Sequence, residues 1–488
     1  MSEKLGGQAA RGAGVAIGGQ WLRFIVQTLG IVTLGRLLTP GDYGLVAVVI
    51  AITGFAGILG DFGFSLAAIQ NQEITHRQKS NLFWLNSTLG VVASVAMWAA
   101  APLVADFYGD PRIELISRWL ACALLLQALT AQFRAELTRR LAFGRLAISD
   151  ILAQALALIV AVSLAFTGFG YWALVAQQVA LAAVPLLYLV SVARWWPGLP
   201  RRAPMRSLIA FGARHTMVQV LNYVSDSIDS VALGRTDGTV AVGYYNRAYQ
   251  LMLMPLVQIA APIGRVALPV LARIKDPSRY QHYVESAQRA LVYGLGGVFF
   301  VAACLAKPLV EVLLGSQWSE SVPLFRILSV AGLFQSLGVL YPWIYLSKAL
   351  TKLQLRLAWI CRPLMVVCVL VGVNWGSVGT AIGMSVAAGL NWLVHTAIGI
   401  PRTGVRVGGL LAVSTRPVLV YAAAALLVAP WLAFVEATYG IAQQVLIGLA
   451  SILSAAAVAM GVIPSVRRDL RQLANMASLI KKDPGDQQ

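Results

Sequence analysis

Two amides flank an arginine on one face of the first apolar stretch of this chain. Arg23 has Gln20 three residues before it and Gln27 four residues after it, so the three side chains share a helix face. A guanidinium group is planar, permanently charged and shaped to hold phosphate oxygens. Ionisable groups within apolar helices tend to face a cavity or a partner, so this face predicts a hydrated, cationic site for an anionic ligand. Further arginines in or at the ends of apolar stretches are candidates for the same site: Arg118, Arg214, Arg247 and Arg326.

The alternative for Arg247 and Arg326 is a structural role. In that case the long side chains reach the headgroup region or pair with a carboxylate of a neighbouring helix.

Asp226 and Asp229 stand three residues apart among serines and are candidates for binding a coupling ion. A carboxylate pair at this helical spacing can hold Na⁺ or a proton, because adjacent negative charge raises the affinity for either. The alternative is that both carboxylates pair with a nearby arginine. Asp61 is interpreted as part of a helix-end turn, Gly60-Asp61-Phe62-Gly63, rather than as a site.

No residue pattern indicates an enzyme, and no catalytic residue is predicted. The four histidines are scattered without metal-ligand spacing, and the sequence has no GxxxxGK[ST] phosphate loop. The four cysteines lie in apolar stretches and include no CxxC pair. We therefore expect no metal, no cofactor and no direct use of ATP.

Helices must position these residues, because fourteen apolar stretches dominate the chain. Hydrophobic residues make up 58% of it and charged residues 12%. Each stretch matches the ~20 residues that a helix needs to cross a bilayer, and backbone groups in hydrocarbon require helical hydrogen bonds. We predict an all-α integral membrane protein with spans at 15–36, 43–64, 82–105, 113–133, 146–167, 171–193, 208–234, 240–264, 288–306, 321–346, 353–373, 377–400, 410–434 and 441–463.

The positive charge follows the alternation of the gaps between these stretches. Of the 38 Lys and Arg residues, only five fall in the odd-numbered gaps or in the adjoining outer parts of the apolar stretches: Arg36, Arg112, Arg118, Arg235 and Lys307. Loops rich in Lys and Arg stay in the cytoplasm, so both termini are predicted to be cytoplasmic. This topology also accounts for the net charge of +18, and no nucleic-acid partner is expected.

The two halves of the chain resemble each other. Val32-Thr33-Leu34-Gly35-Arg36 matches Val231-Ala232-Leu233-Gly234-Arg235, Gly44 matches Gly243, and Arg145-Leu146-Ala147 matches Arg356-Leu357-Ala358. Chance similarity between apolar helices is the alternative. Repeats six spans apart predict two lobes of like orientation around a central cavity. The predicted divisions are a cytoplasmic tail at 1–14, an N-lobe at 15–193, a linker at 194–207, a C-lobe at 208–400, two further spans in 401–463 and an amphipathic cytoplasmic tail at 464–488.

Several motifs resemble those of one transporter family. They are Leu37-Leu38-Thr39-Pro40-Gly41-Asp42-Tyr43-Gly44, Gly63-Phe64-Ser65 with Ile69-Gln70, Asn81-Leu82-Phe83-Trp84-Leu85-Asn86, and Ala232-Leu233-Gly234-Arg235 followed by Gly243-Tyr244-Tyr245. Over about residues 10–460 the chain resembles bacterial polysaccharide transporters of the multidrug/oligosaccharidyl-lipid/polysaccharide flippase superfamily, most of all the colanic-acid exporter branch of the Wzx-type flippases.

This resemblance implies an alternating-access transporter in the bacterial inner membrane. Its passenger would be an undecaprenyl-diphosphate-linked oligosaccharide or a related polysaccharide intermediate, with cationic residues such as Arg23 meeting the diphosphate. The partners implied are this lipid-linked oligosaccharide, membrane lipids, Na⁺ or H⁺, and polysaccharide polymerase or assembly proteins. The alternatives are a drug/cation antiporter of the same superfamily, an integral-membrane polysaccharide-processing enzyme and a non-transporting assembly scaffold.

Overall fold

The computed structural model describes residues 2–70, 73–464, 466–469 and 471–472. The described residues are mostly helical and contain no strand, which confirms the all-α prediction. They divide into two compact units, Met1–Gly243 and Tyr244–Gln488. The boundary falls after the seventh predicted span, whereas the predicted lobes divide at the linker 194–207. The arrangement of six, six and two spans stays a prediction.

Eight helices form the first unit, and long antiparallel pairs dominate their packing. α4 lies along α5, α6 along α7, and α2 contacts α4, α5 and α8. Their bounds are α1 Ser2–Leu37, α2 Pro40–Asp61, α3 Phe64–Gln70, α4 His76–Tyr108, α5 Arg112–Arg139, α6 Phe143–Phe166, α7 Trp172–Val192 and α8 Arg206–Thr236.

The second unit contains the remaining helices, the first of which begins just before the boundary. Three π-helical segments, Leu256–Ala260, Val292–Gly296 and His395–Gly399, connect or follow some of them. The bounds are α9 Gly238–Pro255, α10 Ala261–Arg273, α11 Pro277–Leu291, α12 Gly297–Cys304, α13 Ala306–Leu314, α14 Ser321–Gly338, α15 Tyr341–Ser347, α16 Thr351–Gly372, α17 Gly376–Val394, α18 Val407–Thr438 and α19 Ile441–Val462.

Ten helices in the described part of the chain are long and apolar enough to cross a membrane. The protein is therefore a multi-pass membrane protein. One of the ten, Thr351–Thr403, covers two predicted spans. Three predicted spans are not among these ten, because their helices are not long and apolar enough. Two of them are α1 and α8, which carry the polar candidate residues, and the third is α19 with a shorter apolar stretch, Ile441–Ala455. The count of fourteen spans stays a prediction.

The longest predicted gap, 265–287, proves to be mostly helical. α10 continues to Arg273 and α11 begins at Pro277. Only the short connection around Asp276 is irregular, and there the Asp276 carboxylate accepts a hydrogen bond from the Arg279 amide at 2.7 Å. A capping aspartate followed by proline at the first helical position starts a helix, so this dipeptide marks a helix start as well as a turn.

The first turn of α2 explains the most distinctive sequence motif in the chain. Thr39 caps the helix: its hydroxyl accepts from the Asp42 amide at 3.2 Å, while the Asp42 carboxylate accepts from the Thr39 amide at 2.9 Å. A glycine is needed at position 44 because a Cβ there would lie 2.5 Å from the carbonyl carbon of Thr239. The matching glycine, Gly243, lies opposite Gly44. Its nitrogen is 3.1 Å from the position that a Cβ on Gly44 would take.

The start of the predicted C-terminal tail packs against the second unit. Val466 and Asp469 are 1% exposed. The Asp469 carboxylate lies 2.9 Å from Arg289 Nε of α11 and accepts from the Tyr293 hydroxyl at 3.3 Å. Residues of the predicted tail beyond 472 lie outside the described residues.

Candidate functional site

Two arginines from different helices share one carboxylate in the first unit. Asp150, on α6, lies 3.5 Å from Nη1 of Arg23 on α1 and also accepts a hydrogen bond from Arg134 on α5. The Arg23 side chain is 49% exposed and that of Asp150 is 26% exposed. We call these three residues the arginine cluster. One negative and two positive charges leave it with one net positive charge.

A cavity of about 210 Å³ opens at this cluster. Gln20, Arg23 and Asp150 supply its polar groups, and Phe143, Leu146 and Ala147 supply much of its apolar wall. The structure thus brings Gln20 and Arg23 to one cavity. Gln27 does not line it. A cavity with an exposed guanidinium group, an amide and a shared carboxylate can take up an anion that replaces Asp150 as the partner of the arginines.

A second cavity, of about 330 Å³, lies on the other side of Arg134 in the same unit. Its polar lining comes from Asp61, Ser65, Gln127, Arg134 and Thr138. Small residues of α2, α4 and α5 make the remaining space. Arg134 therefore borders this cavity while its hydrogen bond goes to Asp150 in the cluster.

A buried ion-pair network lies close by on α4 and α5. Glu136 is 4% exposed and accepts from Lys79 Nζ at 2.6 Å and from Arg140 Nε at 2.7 Å. Its two carboxylate oxygens are thus both used, and the network ties these helices together. Its geometry supports a structural role.

The other predicted cationic residues of the first unit lie apart from the cluster. Arg118 pairs with Glu114 one helical turn away, at 2.6 Å, and lies 4.8 Å from the ring centre of Trp98. Arg214 is exposed on α8, and its Nε donates to the carbonyl oxygen of Ala210 at 2.9 Å.

The second unit holds the last two predicted arginines on separate helices. Arg247, on α9, donates from Nη1 to Gln250 Oε1 at 2.7 Å. Arg326, on α14, is exposed, and its Nε lies 3.3 Å from the carbonyl oxygen of Ala303. The described contacts do not join these two residues into one site.

The two candidate coupling acids occupy different surroundings on α8. Asp226 is exposed, whereas Asp229 is 4% exposed and accepts from the amide and the hydroxyl of Ser230 at 2.6 and 3.2 Å. Among the residues that the structure describes, no group of three His, Cys, Asp or Glu side chains could hold a metal ion.

The sequence analysis missed Asp150 and Arg134. Asp150 lies early in the fifth predicted span. An ionisable residue inside an apolar stretch is typical of a functional or paired position, so its location alone could have identified it as a candidate. Arg134 lies one residue beyond the predicted end of the fourth span. It was counted with the cytoplasmic charges, but α5 continues to Arg139.

The fold is shared with membrane transporters of known structure. The lipid II flippase MurJ in an inward closed conformation matches with a TM-score of 0.69 at 12% identity, over 91% of this chain and 98% of that one. An inward-facing multidrug resistance MATE family transporter matches with a TM-score of 0.56 at 14% identity, over 80% of this chain and 96% of that one. The protein is thus a multi-pass helical membrane protein with a transporter fold.

The sequence matches are more specific. The family model described as "Polysaccharide biosynthesis protein" matches residues 33–323, which is more than half of the chain. The chain therefore belongs to this polysaccharide biosynthesis family, and the family resemblance noted in the sequence is confirmed.

Curated relatives agree with this assignment. The teichuronic acid biosynthesis protein TuaB of Bacillus subtilis is 28% identical over 64% of this chain and 66% of its own length, just under two thirds of that protein. The lipopolysaccharide biosynthesis protein WzxC of Escherichia coli is 26% identical over 77% of each chain. The succinoglycan biosynthesis transport protein ExoT of Rhizobium meliloti is 26% identical over 63% of this chain and 62% of its own length.

Proposed function

We propose that this protein is a flippase. It moves a lipid-linked oligosaccharide, or a related polysaccharide intermediate carried on undecaprenyl diphosphate, across the bacterial inner membrane by alternating access. Both termini face the cytoplasm, the helices form fourteen spans in six, six and two, and an ion gradient drives transport. Membership of the polysaccharide biosynthesis family and the name of the relative ExoT support this proposal.

The arginine cluster is the observation that carries the proposal. A diphosphate headgroup in hydrocarbon loses its hydration, and only a polar, positively charged site replaces it. Arg23 and Arg134 offer two planar donor groups that match phosphate oxygens. When no diphosphate is bound, Asp150 pairs with both guanidinium groups, so their positive charges are partly compensated. The arriving diphosphate takes over their hydrogen bonds, and Asp150 helps to release it again.

The remaining predicted residues take lesser parts in this proposal. Gln20 lines the cavity and donates to the ligand. Arg118, Arg214, Arg247 and Arg326 attract the anionic passenger by their charge, and Gln27 offers it an amide donor. Asp226 and Asp229 are candidates for the coupling ion.

A flipping assay in proteoliposomes tests the cluster. We expect Arg23→Gln to lower the flipping rate of a fluorescent undecaprenyl-diphosphate oligosaccharide about tenfold or more, because a hydrogen bond to a charged group contributes about 1.5–3 kcal/mol. Asp150→Asn should lower KM and kcat together, since the diphosphate no longer competes with a carboxylate and leaves more slowly.

Arg145→Gln is the matched control. Arg145 is an arginine of α6, the helix that carries Asp150, but it donates to the carbonyl oxygen of Val192 at 3.0 Å, away from the cluster. This variant should flip the substrate at the parental rate. A fully active Arg23→Gln protein, or an increased KM for Asp150→Asn, would refute the headgroup role of the cluster.

The charge of the cluster argues against the drug/cation antiporter. A cationic drug in this cavity would meet the Arg23 guanidinium group and an Asp150 carboxylate that already pairs with Arg23 and Arg134, so the net positive charge of the cluster opposes binding. An anionic headgroup gains from the same arrangement.

A further inference from the structure

A break in a predicted membrane span places one carboxyl group at the end of α2. The chain leaves α2 at Asp61, passes through Phe62 with φ 46° and Gly63 with φ 63°, and resumes as α3 at Phe64. Helix breaks at membrane depth are tolerated where protein buries them or where they line a wet cavity. The carbonyl end of such a half-helix favours positive charge beside it.

Close packing against α8 holds this break in place. A Cβ at Gly212 would lie 2.5 Å from the carbonyl oxygen of Phe62, and a Cβ at Gly63 would lie 2.9 Å from the carbonyl oxygen of Gly212. Two backbones meet here without side chains between them. The break is therefore determined by tertiary packing within the first unit.

Two neutral donors hold the Asp61 carboxylate. The Ser65 hydroxyl donates to Oδ1 at 2.6 Å, and the Asn86 amide donates to the same oxygen at 3.3 Å. Asn86 is fully buried, and its own Oδ1 has no hydrogen-bond partner among the described residues. An unsatisfied buried polar atom costs about 1–3 kcal/mol. If the amide turned over, Oδ1 would face Asp61, which is favourable only when Asp61 carries a proton to donate.

The same carboxylate lines the cavity of about 330 Å³. Gly60, Gly90 and Ala128 leave the space open, and Gln127 adds an amide to the wall. A water molecule occupies about 30 Å³ and needs polar partners, so this cavity has room for several waters beside its polar side chains. Protons can therefore reach Asp61 through hydrogen-bonded water.

The charged groups that face the break come from α5 and α8. Arg134 lines the cavity, but its hydrogen bond goes to Asp150. Arg139 donates to a backbone carbonyl of α3 at 2.5 Å, and His215 lies beside the break on α8. Asp61 thus shares a wet cavity with a guanidinium group that is bound to another carboxylate.

We propose that Asp61 is a proton-binding site that controls the affinity of the arginine cluster for anions. Ionised Asp61 competes with an anion for Arg134 across the cavity. When the carboxylate takes up one proton from the cavity water, it becomes a neutral acid and no longer attracts Arg134. The Asn86 amide, whose Nδ2 faces ionised Asp61, then turns over so that its Oδ1 accepts from the acid. By linkage, an anion that binds Arg134 favours proton uptake at Asp61 by the same factor.

Infrared difference spectroscopy of the full chain in lipid nanodiscs tests the site itself, without any substrate. Between high and low pH the other acidic residues also give carboxyl bands. We expect one further component, the Asp61 band, to appear in the parent protein, to shift in Ser65→Ala and to be absent in Asp61→Asn. Asp106→Asn, at an exposed acid near the far end of α4, should keep the band. Melting temperatures check that each variant is folded.

Two outcomes would overturn the proton site. One is a band that persists in Asp61→Asn. The other is a spectrum that responds to replacement of choline by sodium at constant pH but not to pH, which would assign the site to Na⁺.

A binding experiment tests the link to the cluster, and this step rests on the proposed function. Undecaprenyl diphosphate should bind the parent protein about fivefold or more tightly at low than at high pH, with proton uptake seen by an indicator dye. In Asp61→Asn we expect tight binding at both pH values and no uptake. Binding by Asp61→Asn with the parental pH dependence would refute the link.

The two experiments separate the proposals. A titrating Asp61 band in a protein that does not bind undecaprenyl diphosphate would leave the proton site standing and overturn the proposed substrate. Tight binding of undecaprenyl diphosphate that requires Arg23, in a protein without the Asp61 band, would support the proposed substrate and overturn the proton site.

Discussion

Replacing Gly44 with alanine should separate two helices that now touch backbone to backbone. A Cβ at Gly44 would lie 2.5 Å from the carbonyl carbon of Thr239, on the first turn of α9. Non-bonded carbons rest at about 3.5–4.0 Å, and the carbonyl oxygen of Thr239 would lie closer still to this Cβ, so the backbones would have to move apart by more than about 1 Å. A flexible side chain would turn aside, but a helix backbone cannot.

The expected cost lies at the upper end of the range for overpacking, about 3 kcal/mol. For a unit of this size that loss corresponds to a decrease of about 6–12 °C in apparent melting temperature. Gly243→Ala should behave similarly, because its Cβ would lie 2.8 Å from the carbonyl carbon of Pro40. Thermal unfolding of the purified protein in one detergent, followed by tryptophan fluorescence, measures both.

Gly41→Ala is the matched control in the same helical turn. Its Cβ would lie 3.6 Å from a methyl group of Val240, which is ordinary van der Waals contact. Alanine is also the better helix former by about 1 kcal/mol. This variant should melt at the parental temperature or slightly above it. Equal melting temperatures for Gly44→Ala and Gly41→Ala would show that the two backbones do not approach each other this closely.

Two further substitutions test buried ion pairs. Asp469→Ala should destabilise the second unit by about 3–5 kcal/mol, because it leaves Arg289, which is 7% exposed, without its carboxylate; unchanged melting would show that the C-terminal segment does not dock there. Glu136→Ala should cost a similar amount by orphaning Lys79, whereas Glu136→Gln, which keeps the acceptor oxygen, should cost less; equal melting of the two variants would argue against the pairing.

Much of the helical architecture could be predicted from local sequence. The pair α16 and α17 ends and begins within a few residues of the predicted spans 353–373 and 377–400. The turn predicted at Gly60-Asp61-Phe62-Gly63 is present as a break between α2 and α3. Local signals suffice here because hydropathy, glycine and capping residues act within a few residues of each other.

The partners of the charged residues could not be predicted in the same way. Arg23 pairs with Asp150, 127 residues away, and Asp61 accepts from Asn86, 25 residues away. Which helix faces which depends on the packing of small residues such as Gly90, because a Cβ at this position would collide with the Ala128 Cβ. Composition does not encode these pairings.

The amino-acid sequence alone determined that this chain is a helical membrane protein, because transfer of apolar side chains from water and the demands of the backbone in lipid depend on composition and order. Its motifs showed the resemblance to the polysaccharide family. Only the tertiary structure decided which charges meet. A helix presents its side chains all around its axis, and the contacts with its neighbours select the few that face a cavity together.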